Sequence, residues 1–180
     1  MTIDAGTGDG RAVLVAAARE PATLVLGLDA SAASMAEASR RAARSPRKGG
    51  LPNAAFIVAA AEAPPPGLGG VAELVTARFP WGSLLRGAVG RDDAVARGLA
   101  ALVTEWGALE LLLAPIERDG LDGVPTSTAG LAEGAASAFA AHGFEIERVC
   151  APTPAEIRAS GSTWARRLDR AATLIRLVRR

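Results

Sequence analysis

A chain of 180 residues in which 49% are hydrophobic and 22% charged has the balance of a folded soluble protein, with length enough to bury a substantial core as one domain. One cysteine (Cys150) and one histidine (His142) rule out an internal disulfide and argue against a metal site or a histidine triad; with no apolar run of membrane length and no signal-like start, a cytoplasmic protein is expected. The net charge of +1 conceals two basic segments, the acid-free group Arg40, Arg41, Arg44, Arg47 and Lys48 and a tail from Arg158 to Arg180, which together hold 12 of the 20 basic residues and suit either a polyanion or plain solvation.

The first predicted strand, Thr2–Asp4, runs into TIDAGTGDGR, where Gly6, Gly8 and Gly10 alternate before a helical pattern at Arg11–Arg19. Glycines there permit positive φ and let a ligand approach the backbone, and amides at the helix start are expected to face whatever fills the cleft. Dinucleotide-binding turns are spaced G-x-G-x-x-G, whereas this one is G-x-G-x-G. The acid two residues before the first glycine, Asp4, favours the S-adenosylmethionine version. A second strand, Thr23–Leu28, is followed by Asp29, whose carboxylate is placed to accept both ribose hydroxyls of an adenosine. Next come a helix over Ala32–Arg44, which bears the basic group, and a third strand, Ala55–Ala59. That strand ends in AAAEA, so Ala61 and Glu62 are expected near the adenine of the same ligand.

Pro64–Gly70 is too rich in proline to be helix, and the fourth strand, Val71–Ala77, leads into RFPWGSLLRG. Pro80, Trp81 and Gly82 suit neither strand nor helix, so Trp81 stands in a turn at the carboxyl edge of the sheet, where a methyl acceptor would enter. In adenine-N6 methyltransferases a polar residue of an (Asn/Asp)-Pro-Pro-aromatic motif holds an exocyclic amine here. Phe79 in that place favours a ring nitrogen, whose lone pair attacks without prior deprotonation. The positive charge that then grows on the base is offset by aromatic faces at about 0.5–2 kcal/mol each. A helix over Asp92–Thr104, with Asp92 as N-cap, places Trp106 at its end as a packed core residue.

A strand at Leu109–Ala114, a loop at Gly120–Thr126 and a helix at Thr128–His142 follow, the helix capped by Thr128 and stopped by Gly143. Strands at Glu145–Val149 and Thr173–Val178 complete the pattern. Between them GSTWARRL sets Trp164 beside Arg166 and Arg167, as stacking combined with phosphate contact requires. Strands alternating with helices predict an α/β domain with a largely parallel sheet. From these residues three functions stay open: an RNA methyltransferase, a methyltransferase for a small molecule or another RNA, and a non-catalytic module that binds ligand or RNA.

DAGTGDGR, RKGGLPN (residues 47–53), AAAEA, FPWGSLLRG and STWARRL, in that order, closely resemble the aminoglycoside-resistance 16S rRNA methyltransferases that modify N1 of adenine 1408, the kanamycin–apramycin resistance enzymes. The resemblance implies a class I, Rossmann-like methyltransferase fold with a mostly parallel seven-stranded sheet. It also implies S-adenosylmethionine as methyl donor, no metal, and the assembled 30S subunit as substrate of a monomeric enzyme. Carried over by position, Asp4, Gly6, Thr7, Gly8, Asp29, Ala61, Glu62, Ser83 and Ser162 would contact the cosubstrate, Ser162 near its methionine end. Trp81 and Trp164 would sandwich the flipped adenine. Arg166, Arg167 and Arg170, with Arg40, Arg41, Arg44, Arg47 and Lys48, would hold rRNA phosphates. The sequence departs from that family in three ways. Family members usually carry an N-terminal extension, whereas Met1 here sits three residues before Asp4, so the free enzyme is expected to bind cosubstrate weakly until the subunit completes the site. Position 78, usually apolar, is Arg78, and the basic helix carries one lysine rather than a row of them.

Overall fold

A computed structural model describes residues 1–115, 122–162 and 171–180. Its seven strands are β1 (Thr2–Ala5), β2 (Val25–Asp29), β3 (Ala54–Val58), β4 (Ala72–Arg78), β5 (Val103–Leu113), β6 (Phe144–Cys150) and β7 (Thr173–Arg179). They form one sheet in the order β3-β2-β1-β4-β5-β7-β6, with β1 to β5 parallel and β7 antiparallel to both neighbours. The chain winds outward from β1 to β3 and then returns to β4 on the other side of β1. A crevice opens where the winding reverses, beyond the carboxyl ends of β1 and β4.

Among the described residues six α-helices flank the sheet: α1 (Arg11–Arg19), α2 (Ala32–Ala42), α3 (Gly82–Ala88), α4 (Asp93–Leu102), α5 (Thr128–Ala140) and α6 (Pro154–Ala159). Alternation along the strands sends Ile3, Val75, Ala77, Leu109, Leu111, Leu113, Ile175 and Leu177 to one face. There they pack against Leu85 of α3, Val95 and Leu99 of α4, and Leu131 and Phe139 of α5. On the opposite face Val13 and Ala17 of α1 cover Val25, with Phe56 of β3 beside them. In the central strands that second face is polar: Asp4 is in register with Thr76, Thr76 with Glu110, and Glu110 with Arg176.

Local chemistry explains the helix ends. Asp92 and Ser127 cap α4 and α5 by accepting the amides of Val95 and Gly130 at 3.3 and 3.2 Å. The cap of α5 is thus one residue before the expected Thr128. Beyond α5, Gly143 turns through a φ of 79°. Asn53, the last residue of RKGGLPN, donates its side-chain amide to the carbonyls of Ala17, Glu20 and Thr23 at 2.9, 3.1 and 3.0 Å, tying the end of α1 to the start of β2.

Each predicted strand falls on an observed one, but other expectations fail. Helices α3 and α6 were not predicted, and the helix expected to reach Thr104 ends at Leu102, where the chain passes directly into β5. The register of β4 against β5 then jumps from Ala72↔Val103 to Leu74↔Ala108, so β5 carries surplus residues in a bulge. Trp106 sits on that bulge at a φ of 63° and is 70% exposed, with the Arg180 guanidinium 5.8 Å from its ring centroid. It is therefore not a core residue.

Candidate active site

The turn after β1 is held by its own neighbours. Gly6, Gly8 and Gly10 have φ of 68°, 58° and 69°, where a side chain would be strained. The amides of Gly6 and Thr7 donate to the Leu28 carbonyl at 2.7 and 3.2 Å, pinning the turn to β2. The Gly8 amide donates to Asp29 Oδ2 and the Ser31 amide to Asp29 Oδ1, both at 2.8 Å. At the start of α1 the Arg11 amide donates to Asp9 Oδ1 at 3.1 Å. The amides of Gly6, Thr7, Gly8 and Arg11 are thus taken by the protein, while Ala12 in the first turn of α1 lines the cavity. Asp29 still has an acceptor site left on each oxygen for a hydroxyl.

A cavity of about 470 Å³ lies over the carboxyl edge of the sheet. Asp4, Gly6, Thr7, Gly8, Asp29, Ala61, Glu62, Ser83 and Ser162 all line it, and so does Trp81. Asp4 is buried, and its Oδ1 accepts from Thr76 Oγ1 at 2.7 Å and from Arg78 Nη1 at 2.6 Å. Thr7 Oγ1 is buried without a hydrogen-bond partner among the described residues. Such an orphan costs about 1–3 kcal/mol, which a polar ligand in the cavity would relieve. On the far rim, the Ala61–Glu62 turn rests directly on Gly98 of α4, where a Cβ would collide with the Ala61 carbonyl oxygen. Gly98 therefore sets how deep that rim sits.

Ser162 is positioned from α6. Thr153 and Glu156 form a reciprocal capping box, and the bonds to Glu156, the Thr153 amide first, hold its carboxyl below the usual range. The helix ends at Ser160, whose buried hydroxyl donates to the Ile157 carbonyl at 2.6 Å and accepts the Ser162 amide at 3.2 Å. Opposite, β4 ends at Arg78 and the chain reverses through Phe79, at a φ of 50°, into buried Pro80. The Phe79 amide is anchored on the Leu112 carbonyl at 2.7 Å. Trp81 is the N-cap of α3 and Gly82 follows at a φ of 58°. A left-handed phenylalanine costs of order 1 kcal/mol or more, and here it turns the chain so that Trp81 stands 59% exposed at the cavity mouth.

Not every expected site residue is gathered there. Arg40, Arg41, Arg44, Arg47 and Lys48 are all exposed, but Arg40 and Arg41 lie on the last turn of α2, Arg44 just beyond its end, and Arg47 and Lys48 on the single-turn helix Pro46–Lys48 that follows. Helix α2 starts beside Asp29 and runs away from the cavity, so about 15 Å of helix separates Arg40 and Arg41 from it. Trp164, Arg166, Arg167 and Arg170 lie outside the described residues. Sequence reasoning passed over Thr76, Gly98 and Ser160. Only the Thr153–Glu156 spacing offered a signal, because it announces a helix ahead of Ser160.

An open sheet in this order, with a glycine turn after β1, a carboxylate closing β2 and a cavity above the point of reversal, defines a class I methyltransferase. The family model for NpmA, 16S rRNA (adenine(1408)-N(1))-methyltransferase, matches residues 1–178. The chain belongs to this family, whose members transfer a methyl group from S-adenosylmethionine to N1 of adenine 1408 of 16S rRNA and so give aminoglycoside resistance. It is 37% identical over 175 residues to the 16S rRNA (adenine(1408)-N(1))-methyltransferase of Streptoalloteichus hindustanus, an alignment covering 94% of this chain and 80% of that protein. A variant of the corresponding enzyme from Catenulisporales acidiphilia, solved with cosubstrate SAM, superposes with a TM-score of 0.86 at 33% identity, over 99% of this chain and 84% of the other. The 16S rRNA methyltransferase KamB superposes with a TM-score of 0.87 at 31% identity, over 98% and 86%.

Proposed function

We propose that this chain acts as a monomer in the cytoplasm on adenine 1408 within the assembled 30S subunit, giving resistance to kanamycin and apramycin. The observation that supports it best is Trp81, a large indole held exposed by a strained turn at the mouth of the cavity that contains Asp4 and Asp29. S-adenosylmethionine, when bound, supplies an electrophilic methyl group on a sulfonium. Asp29 and Glu62 would hold its adenosine, Gly6, Thr7 and Gly8 its middle, and Asp4, Ser83 and Ser162 its methionyl end.

Adenine N1 is neutral and brings its own lone pair, so no side chain has to remove a proton before it attacks. The N1–methyl bond forms as the sulfur–methyl bond breaks, and S-adenosylhomocysteine leaves. The protein's work is to unstack the base, orient N1 in line and stabilise the positive charge that reaches the ring. Trp81, with Trp164 on the other face, would do this by stacking, at about 1–3 kcal/mol, and by cation–π attraction, at about 0.5–2 kcal/mol. The basic residues of α2 and its following turn lie too far from the cavity to touch the target base. They suit backbone phosphates farther along a large folded RNA, where sequence is not read.

Primer extension on 16S rRNA after incubating 30S subunits with the protein and S-adenosylmethionine tests this directly, since N1 methylation blocks base pairing. A stop at adenine 1408 is expected with 30S subunits. Trp81→Ala should slow methylation by about 10- to 5,000-fold, the rate equivalent of about 1.5–5 kcal/mol, with the fold intact, and Trp81→Phe should keep partial activity. Full activity in Trp81→Ala would remove the stacking role, and a stop elsewhere in the rRNA would remove the assigned target.

A further inference from the structure

The wall of the cavity carries four carboxylates, those of Asp4, Asp9, Asp29 and Glu62, and a single cation among its described residues, Arg78. Arg78 ends β4 on the same sheet face as Asp4, and its side chain is 18% exposed. Its Nη1 and Thr76 Oγ1 both donate to Asp4 Oδ1. Among the described residues Asp4 Oδ2 and the Nη2 and Nε of Arg78 make no hydrogen bond, so each partner of the ion pair keeps a free polar edge. A smaller cavity of about 210 Å³, lined by Glu110, Arg148, Glu156 and Ser160, also borders the Arg78 side chain.

We propose that Asp4 and Arg78 together clamp the zwitterionic end of the cosubstrate, with Arg78 holding its α-carboxylate. The proposal rests on the cosubstrate assignment of this cavity. The methionyl end of S-adenosylmethionine carries an α-ammonium and an α-carboxylate on one carbon. Asp4 Oδ2 suits the ammonium, but the carboxylate would then face a wall whose other charges are all negative. The guanidinium is the one described group there that offsets this, and its fork of N–H donors fits a carboxylate. The bond from Nη1 to Asp4 already fixes the arginine, so little side-chain freedom is lost when the ligand arrives. The opposite view makes Arg78 a plug that competes with the ligand's ammonium for Asp4, and it predicts the opposite effect of removing the charge.

Isothermal titration of the full chain with three probes separates these views: S-adenosylmethionine, its decarboxylated analogue, and 5′-methylthioadenosine, which has no amino-acid tail. Wild type should prefer S-adenosylmethionine to the decarboxylated analogue by about tenfold or more, as a charge-assisted hydrogen bond implies. Arg78→Leu should weaken S-adenosylmethionine by a similar factor, erase most of that preference and leave 5′-methylthioadenosine unchanged. Arg78→Gln still reaches Asp4 but lacks the charge. It should behave in the same way, and it decides the matter if Arg78→Leu misfolds and loses all three probes. Tighter or equal binding of S-adenosylmethionine by the folded neutral variants, or an undiminished preference for the carboxylate, overturns the clamp. If wild type binds none of the probes either alone or with 30S subunits present, the cosubstrate assignment fails and the clamp goes with it.

Discussion

Replacing Gly98 by alanine sets two known effects against each other inside α4. Helix propensity alone favours alanine in a helix interior by about 1 kcal/mol. A Cβ at Gly98 would, however, collide with the Ala61 carbonyl oxygen and stand 2.9 Å from that carbonyl carbon and 3.2 Å from Glu62 Cα. Carbon atoms in ordinary contact sit about 3.5–4.0 Å apart, so the Ala61–Glu62 turn would have to retreat by up to about 1 Å. The obstacle is backbone, not the tip of a flexible side chain, and overpacking of this kind costs about 1–3 kcal/mol. We therefore expect a net loss of up to about 2 kcal/mol, read as a fall of up to about 8 °C in melting temperature for a chain of this size. Because Ala61 and Glu62 line the cosubstrate cavity, affinity for S-adenosylhomocysteine should fall in the same variant, by about tenfold for a displacement of this size. Thermal melting followed by circular dichroism and titration calorimetry give the two readings. A Gly98→Ala protein with a raised melting temperature and unchanged affinity would refute the steric argument.

Asn53→Ala removes the donor to three carbonyls; the amide has two hydrogens, so about 2 kcal/mol should be lost in urea denaturation with an unchanged slope, and a loss below about 0.5 kcal/mol would contradict this. Changing Arg40, Arg41 and Arg44 together to glutamate should depress methylation of 30S subunits and leave cosubstrate affinity alone, since these side chains stand away from the cavity; undiminished methylation would sink the phosphate role. Trp106→Gly gives up an exposed cation–π contact but relieves a left-handed φ, two effects of order 1 kcal/mol that nearly cancel, so the melting temperature should hold or rise. A fall on the scale of about 3–5 kcal/mol, as for a core tryptophan, would show that the bulge is not its ground state.

The fold was legible because its signals are local. Apolar runs bounded by glycine, proline and acids mark all seven strands, and Asp92 and Gly143 act within one turn of chain. Helices α3 and α6 escaped because seven and six residues are too few to display an amphipathic period. Trp106 was misplaced for a related reason. The apolar pattern of α4 continues into β5, and only pairing with β4 shows where one ends and the bulge begins.

What the sequence determined by itself is the chemistry available at strand ends: an acid near the end of β1 with spaced glycines after it, an acid closing β2, and an indole in a turn after β4. Each depends on residues adjacent in the chain, so each could be read there. Tertiary structure alone decided which of these groups meet. Pairing of β1 with β4 joins Asp4 to Thr76 and Arg78 across more than 70 residues, close packing of α4 sets the Ala61 rim, and α6 delivers Ser162 to the same cavity. Such contacts follow from strand order and helix packing, which no local pattern encodes. For that reason Arg78, a lone charge in the sequence, becomes the partner of Asp4 only in the folded sheet.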